Sequence, residues 1–200
     1  KGKNLNMLVK TKEEISFPAI ENKSILNSAL NAGITFEYSC SNGQCGVCKT
    51  TLLKGEVKEI KPQFALGNTD LAKHQILTCC CEPITDILID AEELTVLKDI
   101  ETKILPARIS QINQLSNDIV EVQLRFPPSA EFKFLEGQYL DVLWNGTRRS
   151  YSIASRSLDK EVTLLIKKVE QGVMSDYWFN QAKLNDLLRI EGPKGTFFLR

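Results

Sequence analysis

The hydrophobic rhythm of the chain changes around residues 99–103: short alternating runs and one helical pattern come before, and alternation at every second residue recurs after. Leu5-Asn6-Met7-Leu8-Val9-Lys10 alternates, a charged turn follows at residues 11–14, and Ile15-Ser16-Phe17 resumes, which is the pattern of a hairpin. Ser24 is placed to cap a short helix that sets Ile25, Leu26, Ala29 and Leu30 on one face and ends at Gly33. Residues 38–49 mix Ser, Asn, Gly and Cys without a period and read as a loop. Thr50-Thr51-Leu52-Leu53 reads as a strand that turns at Lys54-Gly55. A brief helix over residues 70–73, a strand at Ile76-Leu77-Thr78 and a last alternating strand over residues 84–89 complete this half.

Hairpin, helix, loop and strands is the element order of a β-grasp domain. Beyond residue 103 the strand candidates lie at Ile109 and over residues 119–124, 139–143, 149–153 and 162–166, punctuated by Pro127-Pro128, Asn145-Gly146 and Gly172. Short strands at regular spacing with turn residues between them argue for a small antiparallel barrel. Residues 174–181 form the one expected helix. The fold class expected is α+β, a β-grasp domain over residues 1–98 followed by a Greek-key β-barrel over residues 103–200.

Composition narrows the function classes. Of the 200 residues 42% are hydrophobic and 25% charged, with no net charge, so nothing marks a nucleic-acid partner. No apolar run approaches the roughly 20 residues of a membrane span. The start is too polar for the apolar core of a signal peptide, so a cytoplasmic protein without a membrane partner is expected. The two halves carry their charge differently. Residues 1–100 have eleven lysines, thirteen carboxylates and no arginine, whereas all seven arginines lie beyond.

All six cysteines sit in the first half, at 40, 45, 48, 79, 80 and 81. Three consecutive cysteines make an awkward disulfide frame, and a zinc site would show two close pairs where only Cys45 and Cys48 form one. Both readings stay open, and buried free thiols account well for Cys80 and Cys81. The spacing Cys40-x4-Cys45-x2-Cys48, with a further cysteine downstream, suits two irons bridged by two sulfides. Such a cluster needs four converging thiolates, three of which one tight loop can supply. Gly43, Gly46, Ser39, Ser41 and Asn42 are small enough for that loop to wrap the cluster with its N–H groups facing the sulfurs.

Tyr38-Ser39-Cys40, Cys45-Gly46-Val47-Cys48-Lys49 and Gly55-Glu56-Val57 together resemble the plant-type 2Fe–2S ferredoxin family over nearly all of the first half. The resemblance implies the ligands Cys40, Cys45, Cys48 and Cys79, the last chosen over its neighbours by the family pattern Leu77-Thr78-Cys79.

In the second half Arg149-Ser150-Tyr151-Ser152 resembles the Arg-x-Tyr-Ser signature of ferredoxin–NADP reductase-like FAD domains. On a strand Arg149 and Tyr151 share a face, where a guanidinium can pair with a pyrophosphate and a phenol ring can pack on the isoalloxazine. The family implies for Ser152 a place at the flavin N5 edge, and backbone contacts from the strand holding Ile166 and Lys167. Gly172-Val173-Met174-Ser175 resembles the family's phosphate turn, although Gln171 stands where many relatives have a first glycine. Gly137-Gln138-Tyr139 and Gly192-Pro193-Lys194-Gly195 match two further family motifs in the right order. His74, the only histidine, reads as a surface residue, Trp144 and Trp178 as packing, and Phe197-Phe198 as core.

Along essentially the whole chain the sequence is similar to the CDP-6-deoxy-glucoseen reductase family, through Arg148 to Ala154 and the run from Leu188 to Phe198. That resemblance implies delivery of electrons to a pyridoxamine-phosphate-dependent CDP-hexose dehydratase in 3,6-dideoxyhexose synthesis for the lipopolysaccharide O-antigen. The alternatives are the reductase of an aromatic-ring or other oxygenase, and an electron carrier with no substrate of its own. The family's third domain, which binds NAD(P)H and opens on Gly-Gly-Thr-Gly, is not among these residues, so residues 1–200 alone are expected not to react with NAD(P)H. No Ser/His/Asp or Cys/His arrangement offers an acid, base or nucleophile, and no conventional catalytic residue is expected.

Overall fold

The computed structural model describes residues 4–198. Residues 1–3 and 199–200, the last of them one of the seven arginines, lie outside them. The chain divides into two compact units, Lys1–Asp99 and Ile100–Arg200.

In the first unit the expected hairpin is β1 (Asn4–Thr11) and β2 (Ser16–Ile20), antiparallel. Helix α1 (Ile25–Asn31) follows, with the Ser24 hydroxyl accepting from the Asn27 N–H at 3.1 Å as its cap. The Ile20 N–H donates back to the Ser28 hydroxyl at 3.1 Å, fixing α1 on β2. Next come β3 (Lys49–Lys54), β4 (Val57–Glu59), α2 (Asn68–Ala72), β5 (Gln75–Leu77), β6 (Cys81–Pro83) and β7 (Ile87–Ile89). The main sheet has the order β2-β1-β7-β3-β5, with β1 and β7 parallel, while β4 and β6 form a separate pair. Val9, Phe17, Ile25, Ala29 and Ile89 are buried between helix and sheet.

One expectation fails in detail. Residues 84–89 do not form one strand, because a polar turn interrupts them. The Glu56 N–H donates to the Thr85 hydroxyl at 2.9 Å and the Leu8 N–H to Asp86 Oδ1 at 2.8 Å, so only Ile87–Ile89 is free to join the sheet.

The second unit is one six-stranded antiparallel sheet made of β8 (Lys103–Gln114), β9 (Ile119–Arg125), β10 (Tyr139–Trp144), β11 (Thr147–Ser152), β12 (Val162–Lys167) and β13 (Leu187–Lys194). Its order is β11-β10-β13-β8-β9-β12. The two outer strands meet where Ile153 bridges Leu164 and the Ala154 N–H donates to the Thr163 oxygen at 2.8 Å, curling the sheet into the expected barrel. Alternate residues fill the interior: Ile109, Val122, Leu140, Leu164 and Ile190 are all 0% exposed. Each such side chain contributes about 1.5–3 kcal/mol by leaving water. Among the described residues no helix is long and apolar enough to cross a membrane.

Three features differ from the sequence expectation. Strand β13, at the middle of the sheet, was not anticipated, because Gly192-Pro193 reads as a turn; the missed signal is the alternation of Leu188 and Ile190 with Arg189 and Glu191. The expected helix at 174–181 is split into α3 (Val173–Asp176) and a π-helical turn, Tyr177–Gln181. The wider turn closes with the Ala182 N–H on the Tyr177 oxygen at 2.8 Å and buries both Tyr177 and Trp178. Phe197 is not core; it is 80% exposed.

The outer face of β10, β11 and β13 carries a charge network. Asp141 accepts from Lys194 Nζ at 2.8 Å, from the Ser150 hydroxyl at 2.6 Å and from Arg148 Nη1 at 3.0 Å, and Glu191 pairs with the same two cations. Burial works against ionisation of Asp141, but Lys194, Ser150 and Arg148 outweigh it and hold the carboxyl below its ordinary value. A carboxyl held low in the folded chain stabilises it above the ordinary carboxylate range and loses that contribution as pH falls through the folded value. Asp141→Asn should therefore cost about 1–2 kcal/mol at neutral pH, less than a fully buried pair because Arg148 is half-exposed. Urea titrations across pH should show the two proteins converging as acid protonates the carboxyl; a constant gap would place the cost elsewhere.

Candidate functional site

The first unit gathers its thiols around the loop at residues 40–48. Cys40 and Cys45 lie within hydrogen-bonding reach of each other, and so do Cys48 and Cys79. The sulfurs thus stand two and two. Among the described residues no group of three His, Cys, Asp or Glu side chains is placed to hold a metal ion. The loop also supplies donors: the Cys45 N–H points at Cys40 Sγ at 3.4 Å and the Val47 N–H at Cys45 Sγ at 3.5 Å. Burial raises the Cys40 thiol, but N–H groups of Asn42, Cys45 and Gln44 and the Cys45 thiol outweigh it, and the net shift is downward. Cys48 is pushed far up by the Cys79 thiol beside it and by burial.

The neighbouring cysteines are engaged elsewhere. Cys80 Sγ donates to the Pro62 oxygen at 3.5 Å, although it also stands 3.5 Å from Cys79 Sγ, and Cys81 Sγ donates to Gln63 Oε1 at 3.3 Å. Burial and Glu59 push Cys81 up to about 12. Gln63 is a residue that sequence reasoning missed. Its Oε1 also accepts from the Leu77 N–H at 2.7 Å, so one amide fixes both ends of the strand-to-cysteine turn. A lone glutamine in a loop gives no signal of that role. His74 is exposed, as expected, and serves the turn after α2 through its backbone.

In the second unit Arg149 and Tyr151 share a face of β11, opposite in phase to Arg148 and Ser150. Across the ladder they sit beside Val142 and Leu140, on the core side. Tyr151 is held by Trp178, whose Nε1 donates to its hydroxyl at 2.9 Å with the rings edge to face. Burial raises the Tyr151 phenol, so it stays neutral. Arg149 is exposed, donates to the Arg148 oxygen at 2.7 Å, and has no ion pair among the described residues.

Helix α3 packs against β11, which brings the turn at residues 169–175 toward Arg149 and Tyr151. Ser175 is buried, and its hydroxyl accepts from the Val169 N–H at 2.8 Å, tightening that turn around Gly172. A cavity of about 460 Å³ opens here between Trp144, Gly172, Val173 and Ser175. Met174 and Ile166 are buried, so Ile166 can offer a ligand only its backbone, while Lys167 and Ser152 are exposed. The remaining two motifs also meet: Gln138 Nε2 donates to the Gly195 oxygen at 2.9 Å. Trp144 stacks on Tyr177 at 4.3 Å, a packing role as expected.

Residues 9–83 match the 2Fe-2S iron-sulfur cluster binding domain family and residues 106–199 the oxidoreductase FAD-binding domain family. The chain is 43% identical over 93% of its length to the CDP-6-deoxy-L-threo-D-glycero-4-hexulose-3-dehydrase reductase of Yersinia pestis, covering 56% of that protein. It is 34% identical over 94% of its length to the reductase component 2 of terephthalate 1,2-dioxygenase from a Comamonas species, again covering 56%. The crystal structure of the Amycolatopsis cytochrome P450 reductase GcoB superposes with a TM-score of 0.75 at 26% identity, over 98% of this chain and 59% of that one. The chain thus spans little more than half the length of the relatives it matches.

The loop at residues 40–48 depends on Gly43. Its φ is +83°, and an added Cβ would lie 2.1 Å from the Pro62 oxygen. Gly33, with φ +77° and nothing within 4 Å, is the comparison. Gly33→Ala should cost about 1 kcal/mol from backbone strain alone. Gly43→Ala should lower the urea midpoint further, since backbone must also move. Equal losses would show that the contact with Pro62 yields easily.

Proposed function

Because the chain joins a 2Fe–2S cluster-binding domain to an FAD-binding domain of the oxidoreductase kind, we propose that it conducts electrons between FAD and the cluster, as the reductase of a separate acceptor. The observation that carries this is the two-and-two arrangement of thiols, Cys40 with Cys45 and Cys48 with Cys79, in a chain whose other unit leaves Arg149 without a carboxylate. When bound, the flavin exchanges electrons in twos or singly and the cluster carries one at a time.

The four paired cysteines are the thiolate ligands in this reading. Cys45 and Val47 N–H groups stabilise charge on the sulfurs, and burial of Cys48 and Cys79 keeps water from their side of the cluster. Arg149 binds the FAD pyrophosphate, together with the backbone of the turn at Gly172, Met174 and Ser175. Tyr151, locked by Trp178, packs on the flavin ring; Ser152 borders it, and the backbone of Ile166 and Lys167 flanks it. No side chain has to move a proton for electron transfer in this reading.

The acceptor proposed is a CDP-hexose dehydratase, supported by the 43% relative named as a hexulose dehydrase reductase. An oxygenase is the second reading, supported by the terephthalate dioxygenase component. NAD(P)H would be the electron source in a longer form of the protein. Six cysteines without a disulfide suit the cytoplasm.

An absorbance spectrum of the purified chain tests both cofactors at once. Iron and acid-labile sulfide should each be near two per chain. Cys79→Ser should lose or alter the cluster, while Cys80→Ser and Cys81→Ser retain it; the reverse result would move the fourth ligand. The extracted flavin should be FAD rather than FMN, and Arg149→Ala should lose flavin far more readily than Arg108→Ala. Equal retention would remove Arg149 from the site.

A further inference from the structure

Strands β8 and β13 turn one face away from the core, with Pro106 and Arg108 opposite Arg189 and Leu187. Arg125 of β9 lies directly across from Arg108 on the same face. The acids beside them, Asp141 and Glu191, are already neutralised by Arg148 and Lys194. Arg108, Arg125 and Arg189 give this face its cations, and none has an ion pair among the described residues, although the Glu161 carboxylate stands nearby on the Ser110 hydroxyl at 2.5 Å.

Like charges directly opposite on neighbouring strands are unfavourable, by up to about 1 kcal/mol. A carboxylate in place of either arginine would remove the cost. Instead Asn185 holds both, its main-chain oxygen accepting from Arg108 Nη1 at 2.7 Å and its Oδ1 from Arg125 Nη2 at 2.6 Å. The two guanidiniums are thereby fixed beside a trough of about 480 Å³ walled by Pro106, Phe126, Pro127, Pro128 and Leu187. Leu187 stands 60% exposed at its rim, and Ile104, farther along the same face of β8, is 57% exposed. Fixed arginines among exposed apolar groups make the composition of an interface centre rather than of ordinary surface.

We propose that this face, centred on Arg108, Arg125 and Leu187, docks an acidic partner protein. Carboxylates of the partner meet the guanidiniums, and a large apolar side chain between those carboxylates enters the trough. A protein fits better than a free small anion for two reasons: the trough walls are apolar, and the charge extends to Arg189, outside the trough. Taking that partner to be the electron acceptor rests on the function proposed above; the surface itself does not.

The test is fluorescence anisotropy of the full chain with a short labelled peptide of glutamates around a central Phe-Leu pair. The same peptide with lysines is the control, and the spectrum of each preparation reports cofactor content separately. The acidic peptide should bind, the lysine peptide should not, and raising salt should weaken binding of the unmodified chain. Arg108→Gln, Arg125→Gln and Leu187→Asp should each weaken it roughly tenfold, while Arg156→Gln should not. Absence of binding, affinity undiminished by all three variants, or equal binding when serines replace the Phe-Leu pair would overturn the proposal. So would full displacement of the peptide by inorganic pyrophosphate at concentrations similar to its own, which would mark a plain anion site.

Discussion

The Cys48 carbonyl oxygen accepts two hydrogen bonds from one residue, the Thr78 N–H at 3.2 Å and the Thr78 hydroxyl at 3.3 Å. That acceptor, next to the ladder pair Lys49 and Leu77, fastens the loop carrying Cys40, Cys45 and Cys48 to the strand end before Cys79. The Thr78 oxygen in turn accepts from the Leu26 N–H at 2.9 Å, so the start of α1 is tied to the same point. In the function proposed above, four sulfurs share one cluster only if these two segments, distant in sequence, keep their register. Here the register is set by backbone, and the side chains inherit it. Gly43 and the Pro62–Ala65 segment complete the frame from the other side, with the Ala65 N–H on the Gly43 oxygen at 2.9 Å.

In the second unit the alternation of β11 decides which of two neighbouring arginines is ion-paired. Arg148 and Arg149 are adjacent, yet the alternation of β11 sends them to opposite faces. Arg148 is consumed by Asp141 and Glu191, and Ser150 adds a hydrogen bond to Asp141 on the same side. Arg149 faces the other way, beside Tyr151, without an ion pair among the described residues. The outer network therefore does more than stabilise: it pins β11 to β10 and β13 in the one register that presents Arg149 and Tyr151 together. A one-residue slip would exchange the two arginines and turn Tyr151 to the wrong side.

Much of this was legible in the sequence. Cysteine spacing, the Arg-x-Tyr-Ser alternation and the cap at Ser24 are local signals, and local signals survive without coordinates. What was not legible depended on partners distant in sequence. Nothing around Gln63 announces that its amide joins Leu77 to Cys81, and nothing around Asp141 announces Lys194. Strand β13 was hidden because Gly192 and Pro193, turn residues by habit, sit inside the end of a strand. Phe197 was misjudged because an aromatic pair is taken for core when its neighbours in space are unknown.

The electron transfer proposed for this chain would also constrain where specificity can reside. Neither site needs to recognise the chemistry of a final acceptor, since a cluster delivers the same electron to any protein that docks within reach. This chain can therefore be similar both to a reductase named for a hexulose dehydrase and to one named for a dioxygenase over nearly all of its own length. Discrimination must then come from residues that neither fold the units nor hold the cofactors. Residues of that kind are expected to break local rules without structural compensation. The opposed Arg108 and Arg125 come near this: like charges face each other across the strand pair, held by the neutral Asn185, and neither has an ion pair among the described residues.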